Sequence, residues 1–332
     1  MAGLLSPINI CGQKVRNRIV MPPMNINHAT TEGYVTQKMI DHYVERAKAR
    51  VGIIIVECAY VEPRGKLSTH QLGIHTDSHI PGLKSLAQAI KAYGAMAVIQ
   101  IHHAGRQTSS NICSSQPVAP SAISSPAEKE IPRELTLPEI AALVEAFGEA
   151  ARRAKKANFD GVEIHGAHGF LVNQFVSPYS NKRTDQYGGN RENRLRFSKE
   201  IIARIKERTN NDYPIFYRMS ADEFVEGGLT LEESKLITRD LVEAGVNVMD
   251  ISAGVAASRP VKHYPGYLVP LAHSIKQVVN VPVITVGEIS EFKLADQIIR
   301  EGRADLVAVG RAMLKDPLWA QKAHHALASS MS

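Results

Sequence analysis

The sequence predicts a closed (β/α)8 barrel, and three observations carry that prediction. Eight short aliphatic runs alternate with longer amphipathic ones along 332 residues, a pattern that builds a parallel sheet covered by helices. The length suits one barrel of ~250 residues with extended loops. No Gly-x-Gly-x-x-Gly turn follows the first strand candidate, 18–21, which removes the usual signature of the rival architecture, an open doubly wound sheet.

The remaining strand candidates are 52–57, 96–102, 161–165, 215–219, 248–252, 282–286 and 305–310. Each is β-branched or aliphatic at nearly every position, as parallel strands covered on both faces are. Helical patterns fill the intervals at 37–50, 83–93, 137–157, 191–208, 231–244, 267–279, 291–301 and 317–328. Thr36 is a candidate cap for the first, and Ile140, Leu143, Val144, Phe147 and Ala151 form one stripe on the third. Thr230-x-x-Glu233 opens 231–244 as a capping box and Gly245 ends it. The Ser/Pro-rich stretch 109–132 falls between the third strand and the next helix, so it reads as a long insertion, lid-like or hairpin, over the barrel mouth. No Ser/Gly-rich linker divides the chain, and residues 1–332 read as a single domain.

Composition narrows the function classes. With 44% hydrophobic and 22% charged residues the chain is not a disordered one. No apolar run approaches ~18 residues, and residues 1–17 lack the basic start and apolar stretch of a secretory signal. A cytoplasmic protein with no membrane partner is the expectation. Cys11, Cys58 and Cys113 lie too far apart for a disulfide framework or a zinc knuckle. The +6 net charge is spread along the chain without a basic tail, which argues against nucleic acid and suits a small anionic ligand.

In such a barrel the chemistry gathers at the carboxyl ends of the strands. Those positions read Pro23-Met24-Asn25, Cys58, Gln100-Ile101-His102, His165 with His168, Arg218, Ser252, Gly287-Glu288 and Gly310-Arg311. They are rich in hydrogen-bond donors and hold no paired acids. Glycines after strands seven and eight let a backbone approach an anion, and Arg311 adds charge, so a phosphate site is expected there. His165 and His168 leave three readings open: metal ligands, structural histidines, or two N–H donors that polarise one substrate oxygen. No metal is expected, since no carboxylate stands at a matching strand end.

The stretch from His165-Gly-Ala-His168-Gly-Phe170 through Asn181-Lys-Arg183-Thr-Asp185-Gln-Tyr187 to Arg194-Leu-Arg-Phe197 resembles the signature of the old yellow enzyme family. Leu5-Ser-Pro-Ile, Asn17-Arg18-Ile-Val-Met-Pro-Pro23-Met24, Gln100-Ile-His-His-Ala-Gly105-Arg106, Tyr217-Arg218-Met-Ser and Val309-Gly310-Arg311 match in order, over about residues 4–320. The overall look is similar to the barrel module of enoate and dienoyl-CoA reductases. The iron–sulfur cluster of those enzymes is not expected here, for want of its cysteines.

The resemblance implies FMN across the barrel mouth and NADH or NADPH as reductant. It implies that Pro23, Met24, Asn25 and Cys58 line the ring edge, that Gln100 bonds its pyrimidine side, and that Arg218 places positive charge where the reduced ring gathers negative charge. His165 belongs to the same cofactor wall, and Gly287, the Glu288 backbone, Gly310 and Arg311 would hold the phosphate. The implied substrate is a small electrophilic alkene, its carbonyl oxygen held by His165 and His168. Asn27, Tyr60, Tyr264 and Tyr267 are candidate substrate-side residues, and Asn25 could face either flavin or substrate. One departure stands out: Phe170 occupies the place of the family's proton-donating tyrosine. A redox-neutral flavin-dependent isomerase is therefore the alternative activity. A flavin-free phosphate-binding lyase and a non-catalytic flavin carrier are more distant ones. A homo-oligomer is compatible with the family, whose members vary.

Overall fold

The computed structural model describes residues 2–255 and 263–328. Eight parallel strands close into a barrel. They are β1 (Ile19–Met21), β2 (Ile53–Tyr60), β3 (Met96–His102), β4 (Gly161–Gly166), β5 (Ile215–Ser220), β6 (Val248–Ser252), β7 (Val283–Thr285) and β8 (Leu306–Ala308). Closure comes from pairing of β8 with β1, Val307 opposite Ile19 and Ala308 opposite Val20. Every strand residue is buried, which is why the strands read as apolar runs without alternation.

The two faces differ all the same. Side chains alternate with period two, and Val20, Ile53, Ile55, Val98, Phe216, Val248, Ile284 and Leu306 form an interior cluster. An antiparallel hairpin, Ile8–Ile10 with Gln13–Val15, adds Ile10 and Val15 to that cluster, so the amino-terminal end of the barrel is plugged with apolar side chains. The larger core lies outside the barrel, between strands and helices.

Helix boundaries follow local chemistry. Thr36 and Thr230 accept the N–H of Met39 and Glu233, and Thr136 makes a full capping box with Glu139. Gly245, at φ 118°, ends the helix Leu231–Ala244. Two helices match the sequence expectation to the residue, Arg191–Arg208 and Leu231–Ala244. The expected 267–279 shortens to Val269–Lys276, because Pro270 fits only the first turn. The insertion after β3 is no hairpin: Val118–Ala119 pairs in parallel with Arg133–Glu134.

Candidate active site

Continuing the inward period past the apolar plug reaches polar side chains: Gln100 and His102 on β3, Glu163 and His165 on β4, Arg218 and Ser220 on β5, Asp250 and Ser252 on β6. The Gln100 amide donates to Glu163 Oε1 at 2.8 Å. Arg218 Nε lies 3.5 Å from Asp250 Oδ2. One guanidinium thus faces two fully buried carboxylates. Burial pushes Glu163 well up, and the neighbouring Asp250 adds to it; burial also raises Asp250, with Arg218 opposing. The expectation of no paired acids is corrected here. The pair sits one layer below the strand ends, hidden inside runs that read as apolar.

Above this layer stand the two histidines. His165 is 6% exposed, with Nδ1 lacking a hydrogen-bond partner. Burial first, then His102, His168 and Arg218, hold its pKa well below the ordinary imidazole value, so the ring is neutral at pH 7. His168 takes a left-handed backbone conformation, φ 60°, a strained one for a non-glycine residue. Its N–H donates to Ser220 Oγ at 2.9 Å, and its Nε2 lies 2.7 Å from Ser252 Oγ. The two imidazoles meet edge to face, centroids 5.3 Å apart. Phe170 packs against His165 at 4.7 Å and against His102 at 4.6 Å.

Beside these rings opens a cavity of about 740 Å³, lined among others by Pro23, Met24, His168, Arg218, Ser252, Tyr267, Gly287, Glu288, Gly310 and Arg311. That size suits a cofactor-scale ligand. A Cβ on Gly287, φ 128°, would sit 3.0 Å from the Leu268 backbone nitrogen, and one on Gly310 would sit 3.1 Å from Met24 Sδ. Gly287 is therefore required by close approach as well as by its positive φ, while a side chain at 310 would press on Met24. Arg311 Nη2 pairs with Glu288 Oε1 at 2.8 Å, and Lys315, unremarked in the sequence reading, adds a second cation to the wall.

Of the other candidates, Tyr267 lines this cavity, whereas Cys58, Asn25, Asn27, Tyr60 and Tyr264 do not. Cys58 is buried, its sulfur accepting the Gln71 amide at 3.3 Å, and burial pushes its pKa up to about 12. Asn25 and Asn27 both bond Ser68, at 3.2 and 2.5 Å. Tyr60 donates to the Glu32 carbonyl and stacks on His75. Tyr267 stacks on His263, while Tyr264 is 51% exposed, its ring edge-to-face with that of Tyr267 at 6.5 Å. In the loop after β4, Arg183 pairs with Asp185 and caps the Pro120 and Leu135 carbonyls, and Arg194 pairs with Glu233. That charged loop is a structural clamp holding the insertion. Glu163 and Asp250 had no role assigned from sequence, and His102 stood there only as part of a strand-end run. A charge at an inward position of an apolar run was the available signal.

The residues present fit FMN. Arg218 Nε is buried without a hydrogen bond, two glycines form a cradle that a Cβ would fill, and cations stand at the phosphate end. Among the described residues no group of three or more His, Cys, Asp or Glu could hold a metal ion, and no helix is long and apolar enough to cross a membrane.

Barrel and site together define a class, the FMN-dependent NAD(P)H oxidoreductases. Residues 3–330 match the model of the NADH:flavin oxidoreductase / NADH oxidase family, and the chain belongs to that family, the one of old yellow enzyme. It is 53% identical over 316 residues to an NADH oxidase of Thermoanaerobacter brockii, covering 93% of this chain but only 48% of that protein. It is 42% identical over 330 residues to an NADPH dehydrogenase of Geobacillus sp. (strain WCH70), covering 99% and 96% of the two. Among solved structures, a 2-naphthoyl-CoA reductase complex superposes with TM-score 0.93 at 33% identity, over 98% of this chain and 52% of that one. Morphinone reductase with tetrahydroNAD gives 0.85 at 26%, over 98% and 91%. The chain thus spans about half of some relatives and nearly all of others.

Proposed function

We propose that this protein uses NAD(P)H and FMN to reduce an electron-poor C=C bond, with His165 and His168 holding the oxygen that activates it. The observation that carries this reading is the edge-to-face pair of imidazoles, His165 behind and His168 lining a cavity whose wall is also glycine-lined and cationic. Gln100 and Arg218 would hold the pyrimidine half of FMN, and Gly287, the Glu288 backbone, Gly310 and Arg311 its phosphate. When bound, the cofactor supplies the hydride. His165 and His168 donate hydrogen bonds to a carbonyl or nitro oxygen and stabilise the negative charge that grows there. Ser252 fixes the ring of His168 through Nε2. Asp250 lies beside Arg218, its Oδ2 3.5 Å from Nε.

Phe170 favours a second reading, redox-neutral isomerisation of an unsaturated carbonyl compound, since no phenol stands ready to protonate the α-carbon. Product mass separates the two. Incubation of FMN-loaded protein with enones, enoates and nitroalkenes should yield products two hydrogens heavier, only when NADH or NADPH is present. Products of unchanged mass without reductant would replace the first reading by the second. Bound FMN that NAD(P)H fails to bleach anaerobically would remove both and leave a flavin carrier.

A further inference from the structure

Resting on the reading of an alkene reductase, we propose that His102 carries the proton that the missing tyrosine would have given. The first ground is position. His102 follows Gln100 by two residues on β3, so its side chain points into the barrel interior, one layer closer to the mouth. Its ring meets Phe170 at 4.6 Å and His165 at 5.4 Å. The imidazole therefore sits one ring away from both the oxygen-holding pair and the side chain standing where the phenol is absent.

The second ground is that the ring has nothing to bond. His102 is fully buried, and neither Nδ1 nor Nε2 has a hydrogen-bond partner. Leaving such groups unpaired forfeits their solvation with nothing in return, a cost a structural histidine avoids; His103, its neighbour, bonds Glu62 through Nε2 and the Gly105 N–H through Nδ1. Burial lowers the pKa of His102 to about 3, so the ring carries one N–H and one lone pair.

Hydride arriving at the β-carbon leaves an electron pair on the α-carbon, conjugated with the oxygen that His165 and His168 hold. A C–H bond forms at the α-carbon as an N–H bond of His102 breaks, and the other ring nitrogen takes a proton from water. The ring ends neutral, as its opposite tautomer, and a solvent proton neutralises the hydroxide left by the water, so the net reaction consumes one proton. The hydride and both electrons come from NAD(P)H.

Stopped-flow mixing of anaerobically reduced protein with 2-cyclohexenone tests this, alongside an FMN titration of each apo-protein. H102F should bind FMN with Kd within about twofold of the wild type. Its flavin reoxidation rate should fall at least ~10-fold more than its rate of reduction by NADPH, and the solvent deuterium effect on reoxidation should disappear. The double variant H102F/F170Y should recover the rate through the phenol. If H102F does not fold, H102Q, which keeps a polar group but cannot exchange tautomers, carries the same expectations. Reoxidation unchanged in the variant, an equal fall in both half-reactions, a lost affinity for FMN, or no rescue by F170Y would each overturn the role of His102. A wild-type protein whose reduced flavin no alkene reoxidises would instead overturn the reductase reading.

Discussion

At position 170 the difference between two side chains is one oxygen, and the chemistry turns on it. Phenol, with a pKa near 10, is a far stronger acid than neutral imidazole, and a well-placed general acid contributes ~10²–10⁴-fold. Phe170→Tyr should therefore raise turnover of simple enones about 10-fold under steady-state NADPH, and an unchanged or lower rate would show that protonation does not limit. The same scale explains what could be read beforehand. His165, His168, Arg218 and Phe170 stand out in the sequence because each ends an apolar run or interrupts a recognisable motif. Glu163 and Asp250 do not, because a single charge within Val-Glu-Ile or Met-Asp-Ile looks like noise until its partner strand is known.

Between residue and molecule lie the turns that follow β7 and β8. On the proposed reading they bring main-chain atoms close to a phosphate while passing Leu268 on one side and Met24 on the other. A methyl group on Gly287 meets backbone at 3.0 Å with φ at 128°, a conformation that costs a residue with a Cβ ~1–3 kcal/mol. Gly287→Ala should weaken FMN binding about 10-fold, about 1.4 kcal/mol, read from FMN fluorescence during titration of the apo-protein. Gly12→Ala, on the amino-terminal hairpin with open space around it, should leave the FMN Kd unchanged. The β-strands themselves were legible from periodicity because burial on both faces demands aliphatic side chains at every position. The parallel pairing inside the insertion was not, since two residues per strand leave no period to read.

For the molecule as a whole, buried titratable groups set the pH range of stability. Burial lowers His42, His75 and His324 to about 4 and His102 to about 3. The unfolded chain then binds more protons than the folded one below pH 6.5, so stability falls as pH drops from 6.5 toward 4. Glu57 behaves oppositely. Burial raises it to about 7 although it accepts the Ile26 N–H at 2.8 Å, so the folded state binds the extra proton and stability falls as pH rises from 4.5 through 7. Above pH 6.5 only the carboxylate effect remains. Thermal unfolding of the apo-protein should accordingly decline between pH 6.5 and 8, and Glu57→Gln should flatten that decline; a parallel decline in the variant would assign it elsewhere.

Chain order alone determined the barrel, its eight repeats, the strand-end glycines and arginines and the pair of histidines, because each depends on local spacing: period two or 3.6, a cap, a turn. Tertiary structure decided which inward side chains share a layer. Gln100 reaches Glu163, Arg218 lies against Asp250, and His102 comes to rest beside Phe170, 68 positions on in the chain. Those neighbours are set by the stagger of eight strands around a closed cylinder. No short window of sequence contains that quantity.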